Sequence, residues 1–184
     1  MPSYSEKLST DFSQGTLQKT DNTMDFALQG EGFFVIQTER GLAYTRKGDF
    51  TLNANNELVT KSGDFVMGKS GKISLSGRNI NVDESGIIKI DDNQVDQLKI
   101  VNFENPQMLI HAGEGLFKDQ GNGIIQKDSN SKVINGSLEI SNVNAIKEMI
   151  QMIDMQRTFE TYQKLIHAID DQDKLSTGKI GKVG

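Results

Sequence analysis

The stretch Gly63-Asp64-Phe65-Val66-Met67-Gly68-Lys69-Ser70 fits the phosphate-loop pattern G-x-x-x-x-G-K-[ST] at every fixed position. Taken as a phosphate loop, it demands a buried strand before it, a helix after it and an α/β fold around both. Its own residues oppose that reading. Phe65, Val66 and Met67 fill three of the four variable positions with large apolar side chains, and the fourth, Asp64, is an anion that would face phosphate. Beyond Ser70 the chain runs Gly71-Lys72-Ile73-Ser74-Leu75-Ser76-Gly77, which alternates with the period of a strand and ends in glycine. The stretch therefore predicts a short strand over 65–67, a turn over 68–71 holding Lys69 and Ser70, and a second strand. The fold around it is β.

Outward from this hairpin, residues 23–103 read as an antiparallel β domain. Apolar runs such as Phe33-Phe34-Val35-Ile36 and Ile87-Ile88-Lys89-Ile90 alternate with turn clusters such as Asn53-Ala54-Asn55-Asn56 and Asp83-Glu84-Ser85-Gly86. Phe33, Val35, Phe50, Leu52 and Ile100 are the expected core. Gly-Asp-Phe occurs at Gly48 and again at Gly63, which marks two similar hairpin openings. Residues 1–22 read as an extended lead-in. Residues 104–140, rich in Gly, Asn and Ser, read as an irregular, extended return segment.

The composition then changes. From Asn144 to Leu175 there is neither Gly nor Pro, and Asn142 or Asn144 is a candidate N-cap. The spacing predicts one long helix, about 45 Å at 1.5 Å per residue, within a C-terminal assembly segment of residues 141–184. Met152, Met155, Phe159, Tyr162, Ile166 and Ile169 recur in alternating steps of three and four, the spacing of a coiled-coil seam. Val143, Ile146, Ile150 and Ile153 widen the stripe at its start. Burying six such side chains stabilises by roughly 10 kcal/mol or more, yet no other segment reads as a partner helix. The stripe therefore predicts a partner on another chain, or a segment absent from this one.

No chemistry competes with that reading. The net charge of −5 and the pI near 5.1 argue against a nucleic-acid partner. No apolar run approaches membrane-spanning length, and the first residues carry no cleavable signal pattern. With no cysteine there is no disulfide, thiolate metal site or cysteine nucleophile. The two histidines, His111 and His167, have no motif around them, and they read as a loop residue and a helix-face residue. Asp170, Asp171 and Asp173 lack the Gly and closing Glu of a calcium loop, so they read as a solvated helix end. Gly30-x-Gly32 fails the dinucleotide fingerprint at Val35. No enzyme, cofactor or metal is expected.

Three stretches carry a resemblance: Asp11–Ile36 (DFSQGTLQKTDNTMDFALQGEGFFVI), Tyr44–Gly68 (YTRKGDFTLNANNELVTKSGDFVMG) and Gly136–Ile166 (GSLEISNVNAIKEMIQMIDMQRTFETYQKLI). Together they resemble the flagellar basal-body rod and hook protein family. Ser141-Asn142-Val143-Asn144 matches the family's lead into its C-terminal helix, and Gln156, Arg157, Phe159 and Glu160 match the block that follows. The resemblance implies a non-enzymatic axial subunit, exported without a cleavable signal and built into the rod across the periplasm. Its partners would be copies of itself and other rod and hook proteins. It implies an inner coiled-coil layer in which the C-terminal helix pairs with an N-terminal helix. The signature of that N-terminal helix is missing here, so a segment before Met1 is expected. The implied subunit interface is Val143, Ile146, Met152, Met155, Phe159, Tyr162, Ile166 and Ile169. The short middle of the chain resembles the proximal rod type (FlgF) first and the distal rod type (FlgG) second. A soluble adaptor that binds one partner helix is the alternative outside the family.

Overall fold

The computed structural model describes residues 10–77, 79–119, 121, 125–126, 131–142 and 145–180, with side chains of the final helix described over 149–169. The chain separates into two compact units, residues 1–142 and 143–184.

The first unit is antiparallel β. Its largest sheet runs, neighbour by neighbour, Ile110–Gly113, Leu116–Lys118, Gly41–Thr45, Phe33–Thr38, Phe65–Val66, Leu58–Val59 and Thr51–Leu52. Ile100–Phe103 joins it by pairing with Phe33–Thr38, and pairs in turn with Ile125–Gln126. Ile80–Val82, Ile87–Ile90 and Asn93–Gln97 form a separate meander. Two further pairs close the unit: Phe26–Gln29 with Lys132–Asn135, and Leu17–Lys19 with Ser137–Glu139.

Phe33–Thr38 shows why the sequence folds this way. Successive side chains point to opposite faces of a strand, and here both faces are covered. Phe34 and Ile36 enter one core cluster with Phe26, Phe50, Ile88 and Val133. Phe33 and Val35 enter a second with Tyr44, Val101, Phe103 and Leu109. A continuous apolar run is what such a strand needs. Of the expected core, Phe33, Val35 and Phe50 are buried, while Leu52 and Ile100 are half-buried against the first cluster.

The phosphate-loop look-alike is a hairpin turn. Val59 pairs with Phe65, Ile36 pairs with Val66, and no helix begins at Gly68. The Gly68 amide donates to the Gly71 carbonyl at 2.7 Å, and the Lys69 amide to the Gln97 carbonyl at 2.8 Å. The Ser70 amide donates to the Asp96 carboxylate at 3.2 Å, so the chain's own anion sits where the pattern would place a phosphate. The second strand of this hairpin is reduced to isolated bridges, Met67 with Lys72 and Glu57 with Ser74. Alternation buries Ile73 and Leu75 there without a continuous backbone partner.

Three expectations are corrected. Residues 104–140 are not simply irregular: strands occur there at 110–113, 116–118, 125–126, 132–135 and 137–139. They are short and carry little alternation; 110–113 pairs with the adjacent 116–118, while 116–118, 132–135 and 137–139 find partners far away in sequence. The lead-in also contributes a strand, Leu17–Lys19. His111 lies in the strand Ile110–Gly113, with its ring edge-on to Phe117 at 5.4 Å, not in a loop.

The second unit is one helix, Ala145–Ile180, longer than the sequence predicts because it continues past Leu175. The backbone at 170–173 is helical, so these aspartates neither form a calcium loop nor end the helix. No helix among the described residues is long and apolar enough to cross a membrane.

Candidate assembly surface

The two ends of the β unit are fastened side by side. Leu17, Gln18 and Lys19 pair with Glu139, Leu138 and Ser137, and the Ile140 amide donates to the Thr16 carbonyl at 2.8 Å. Asn142 extends the contact, its Nδ2 donating to the Ser13 hydroxyl at 2.8 Å and to the Ser13 carbonyl at 3.1 Å. Asn142 is therefore a clasp on the lead-in, made through its amide nitrogen. Gly15 permits the approach, because a Cβ there would collide with the Ile140 carbonyl. Asp11–Ser13 and Asn142 thus lie side by side at one edge of the β unit.

A buried ion pair fixes this junction. Arg46 Nε donates to Glu139 Oε2 at 2.9 Å, with side chains only 15% and 9% exposed. The remaining guanidinium donors reach the Gly30 and Gly32 carbonyls at 3.1 Å, and the Gly15 amide donates to Glu139 Oε1 at 2.7 Å. Arg46 thereby joins the Gly30-Glu31-Gly32 turn, the lead-in and the return strand. Its planar fork suits one carboxylate and two carbonyls at once.

The helix contrasts with this packed junction. Met152, Met155, Phe159, Tyr162, Ile166 and Ile169 lie on one face and are between 51% and 73% exposed. Met149, Ile150, Ile153 and Leu165 are also exposed. Ile150 and Ile153 do not widen the stripe as expected: at 3.6 residues per turn they lie on the far side of the helix from it. The exposed apolar stripe runs along one face of the helix. Among the described residues no cluster of metal-ligating side chains occurs.

Comparison with known proteins gives this stripe a context. Residues 27–96 match the model of the flagellar hook protein FlgE/F/G D1 domain, and residues 129–176 match that of the flagellar basal body rod FlgEFG protein C-terminal region. The chain is 35% identical over 189 residues to the flagellar basal-body rod protein FlgG of Buchnera aphidicola subsp. Schizaphis graminum, covering 95% of this chain and 71% of that protein. The chain belongs to the flagellar basal-body rod protein family. It is also 32% identical over 184 residues to the FlgG protein of Bacillus subtilis, covering 92% of this chain and 70% of that one. Against the FlgF protein of Caulobacter vibrioides it is 29% identical over 175 residues, covering 94% and 71%. Relatives of both names span nearly the whole chain, so the family is of FlgF/FlgG type and similarity does not separate the two. As a member of this family the chain is a structural rod subunit of the flagellar basal body, not an enzyme.

Within the rod-protein frame the sequence-predicted residues divide. Met152, Met155, Phe159, Tyr162, Ile166 and Ile169 fall together on the exposed helix face. Gln156 and Glu160 are joined on the helix surface, Gln156 Nε2 donating to Glu160 Oε1 at 3.3 Å, and Arg157 is exposed beside them. Ser141 and Asn142 lie on the return strand's extension, in the β unit. Val143, Asn144 and the side chain of Ile146 lie outside the described residues. Sequence reasoning missed Arg46, Glu139 and Gly15 as the junction. Arg46 stood inside a quoted motif, but nothing local to Glu139 pointed to a partner 93 positions away.

Proposed function

We propose that this rod subunit is an axial building block that assembles with copies of itself and with related rod and hook proteins, and that the assembled rod transmits torque across the periplasm. The exposed helix seam is the observation that carries the reading. Val143, Ile146, Met152, Met155, Phe159, Tyr162, Ile166 and Ile169 form its subunit interface, and the occupant is a second amphipathic helix. Knobs-into-holes packing at three-and-four spacing gives that interface its register.

The test replaces Phe159→Asp together with Ile166→Asp in a flagellated host lacking its own copy. Rod assembly and swimming are expected to be lost while the β unit melts unchanged, because seam and β core are separate. Rods and swimming that persist would sink the proposal. A finite one-to-one complex with a partner helix, and no polymer, would show instead an adaptor.

A further inference from the structure

The strand Lys132–Asn135 ends on the pair Asn135-Gly136. The turn calls for glycine there, since its φ of +69° lies in the left-handed region. A glycine that follows an asparagine has no side chain to shield the amide from its own backbone nitrogen. In the closed β unit the fold supplies that shield. Asn135 is held in the strand opposite Phe26. The Gly136 amide donates to the Asp25 carbonyl at 2.8 Å, and the Gly136 carbonyl accepts from the Thr20 and Asp21 amides at 2.8 and 3.1 Å. The peptide bonds on both sides of Gly136 are thus fixed by residues from the start of the β unit. Asn135 Oδ1 is buried, and no donor among the described residues reaches it.

We propose that Asn135-Gly136 is a deamidation site that closure of the β unit keeps shut, and that the modification, once made, bars closure. In an unclosed chain the Gly136 nitrogen attacks Asn135 Cγ. The new N–Cγ bond closes a succinimide ring, the Cγ–Nδ2 bond breaks, and the side-chain nitrogen leaves as ammonia with the backbone proton. Water then opens either imide carbonyl to give aspartate or isoaspartate, with no oxidation or reduction. In the strand the first step is blocked. The Gly136 proton is held on the Asp25 carbonyl, and the extended backbone must rotate before the nitrogen can reach Cγ. Neither product suits the closed unit. Aspartate places a charge where the amide oxygen is buried without a donor. That side chain shares the face of the fully buried Phe26, because cross-strand partners point the same way. Lys132, the cation of the same strand, stands on the opposite face and is already paired with Glu84 at 2.7 Å. Isoaspartate adds a methylene to the backbone, which breaks the register that Ser137–Glu139 keeps with Leu17–Lys19. A chain that stays unclosed therefore has a limited time in which it can still fold.

The full chain is held at mildly alkaline pH in buffer and, in parallel, in urea, and conversion at position 135 is read by tandem mass spectrometry. Asn122-Gly123, the chain's other Asn-Gly pair, calibrates the intrinsic rate in urea. Conversion of Asn135 is expected to be about tenfold slower or more in buffer than in urea, as protection by a cooperative unit requires. Equal rates in the two, or no conversion at 135 in urea, would overturn the inference. Aged chains are then returned to buffer, and size exclusion separates the folded fraction from the unfolded one. Modified 135 is expected to be enriched several-fold in the unfolded fraction, and an even distribution between the two would show that the modification does not bar closure. Asn135→Ser, which has no amide to lose, should keep its refoldable fraction during ageing in urea while that of the parent falls. Loss at the same rate in both chains would sink the second half of the inference. Should Asn135→Ser itself fold poorly, the partition of the aged parent decides alone.

Discussion

Phe50 and Phe159 are the same side chain in two opposite situations. Phe50 is 4% exposed, its ring edge-on to Phe34 at 5.3 Å. Phe159 is 61% exposed on the helix. The β unit has found within its own chain a partner for each large apolar group of its central strand. The helix carries a stripe as apolar and finds none among the described residues. On the proposed reading a partner outside the unit covers that stripe, so the contrast separates what this chain folds by itself from what assembly would complete.

The largest expected effect tests that contrast directly. Phe50→Ala should cost roughly 3–5 kcal/mol, the usual range for emptying a buried phenylalanine site. Phe159→Ala should change the stability of the β unit by less than about 0.5 kcal/mol, as exposed substitutions do. Denaturant melts of both variants measure the difference. A Phe50→Ala loss below about 1 kcal/mol, or a comparable loss from Phe159→Ala, would break the comparison.

A smaller effect is expected at the junction, where the β unit closes on its own two ends. Arg46→Ala leaves the Glu139 carboxylate buried without its cation, and deprives the Gly30 and Gly32 carbonyls of their donors. Removing one partner of a buried pair costs several kcal/mol, and about 3 kcal/mol is expected here because the pair keeps some contact with solvent. Adding Glu139→Gln should recover part of the loss by removing the stranded charge. If the double variant is no more stable than Arg46→Ala, the carboxylate was not stranded and the pair is not the closure.

Much of the β unit was legible because its signals are local. Phe33–Ile36 announced a strand buried on both faces, and Asp83–Gly86 announced a hairpin. The context of Gly63–Ser70 ruled out a helix. The return strands were not legible. Lys132–Asn135 has a single buried side chain, Val133, and its partner Phe26–Gln29 is distant, so no pattern within the segment shows the pairing. The exposed stripe at Met152–Ile169 was legible from spacing alone, since three-and-four periodicity places these side chains on one helix face. The junction was not, because an Arg and a Glu far apart in sequence look like any two surface charges until the chain brings them together. The contact of Asn142 with Ser13 was not legible for a related reason, since only the fold brings the lead-in beside it.

The smallest effect concerns tyrosine, which also occurs in both regions. Tyr44 is 6% exposed in the second core cluster, against Phe103 at 4.8 Å. Burial raises its phenol above the ordinary value of 10.0, and the nearby Asp119 charge raises it further. The sign follows from linkage. With the folded value above the unfolded one, the stability tied to Tyr44 is fully present below about pH 10 and is lost as pH rises through the folded value. The Lys61–Asp49 and Lys132–Glu84 pairs, whose amines are also raised by their partners, lose their contribution in the same direction. Tyr44→Phe separates the terms by removing only the phenol. Alkaline titration followed by phenolate absorbance should show a late-ionising tyrosine in the parent that is absent from Tyr44→Phe. The variant should also lose less stability than the parent above pH 10. If the late component survived in Tyr44→Phe, burial in the second core cluster would not hold the Tyr44 phenol up, and the picture of a β unit closed around its own aromatic side chains would fail.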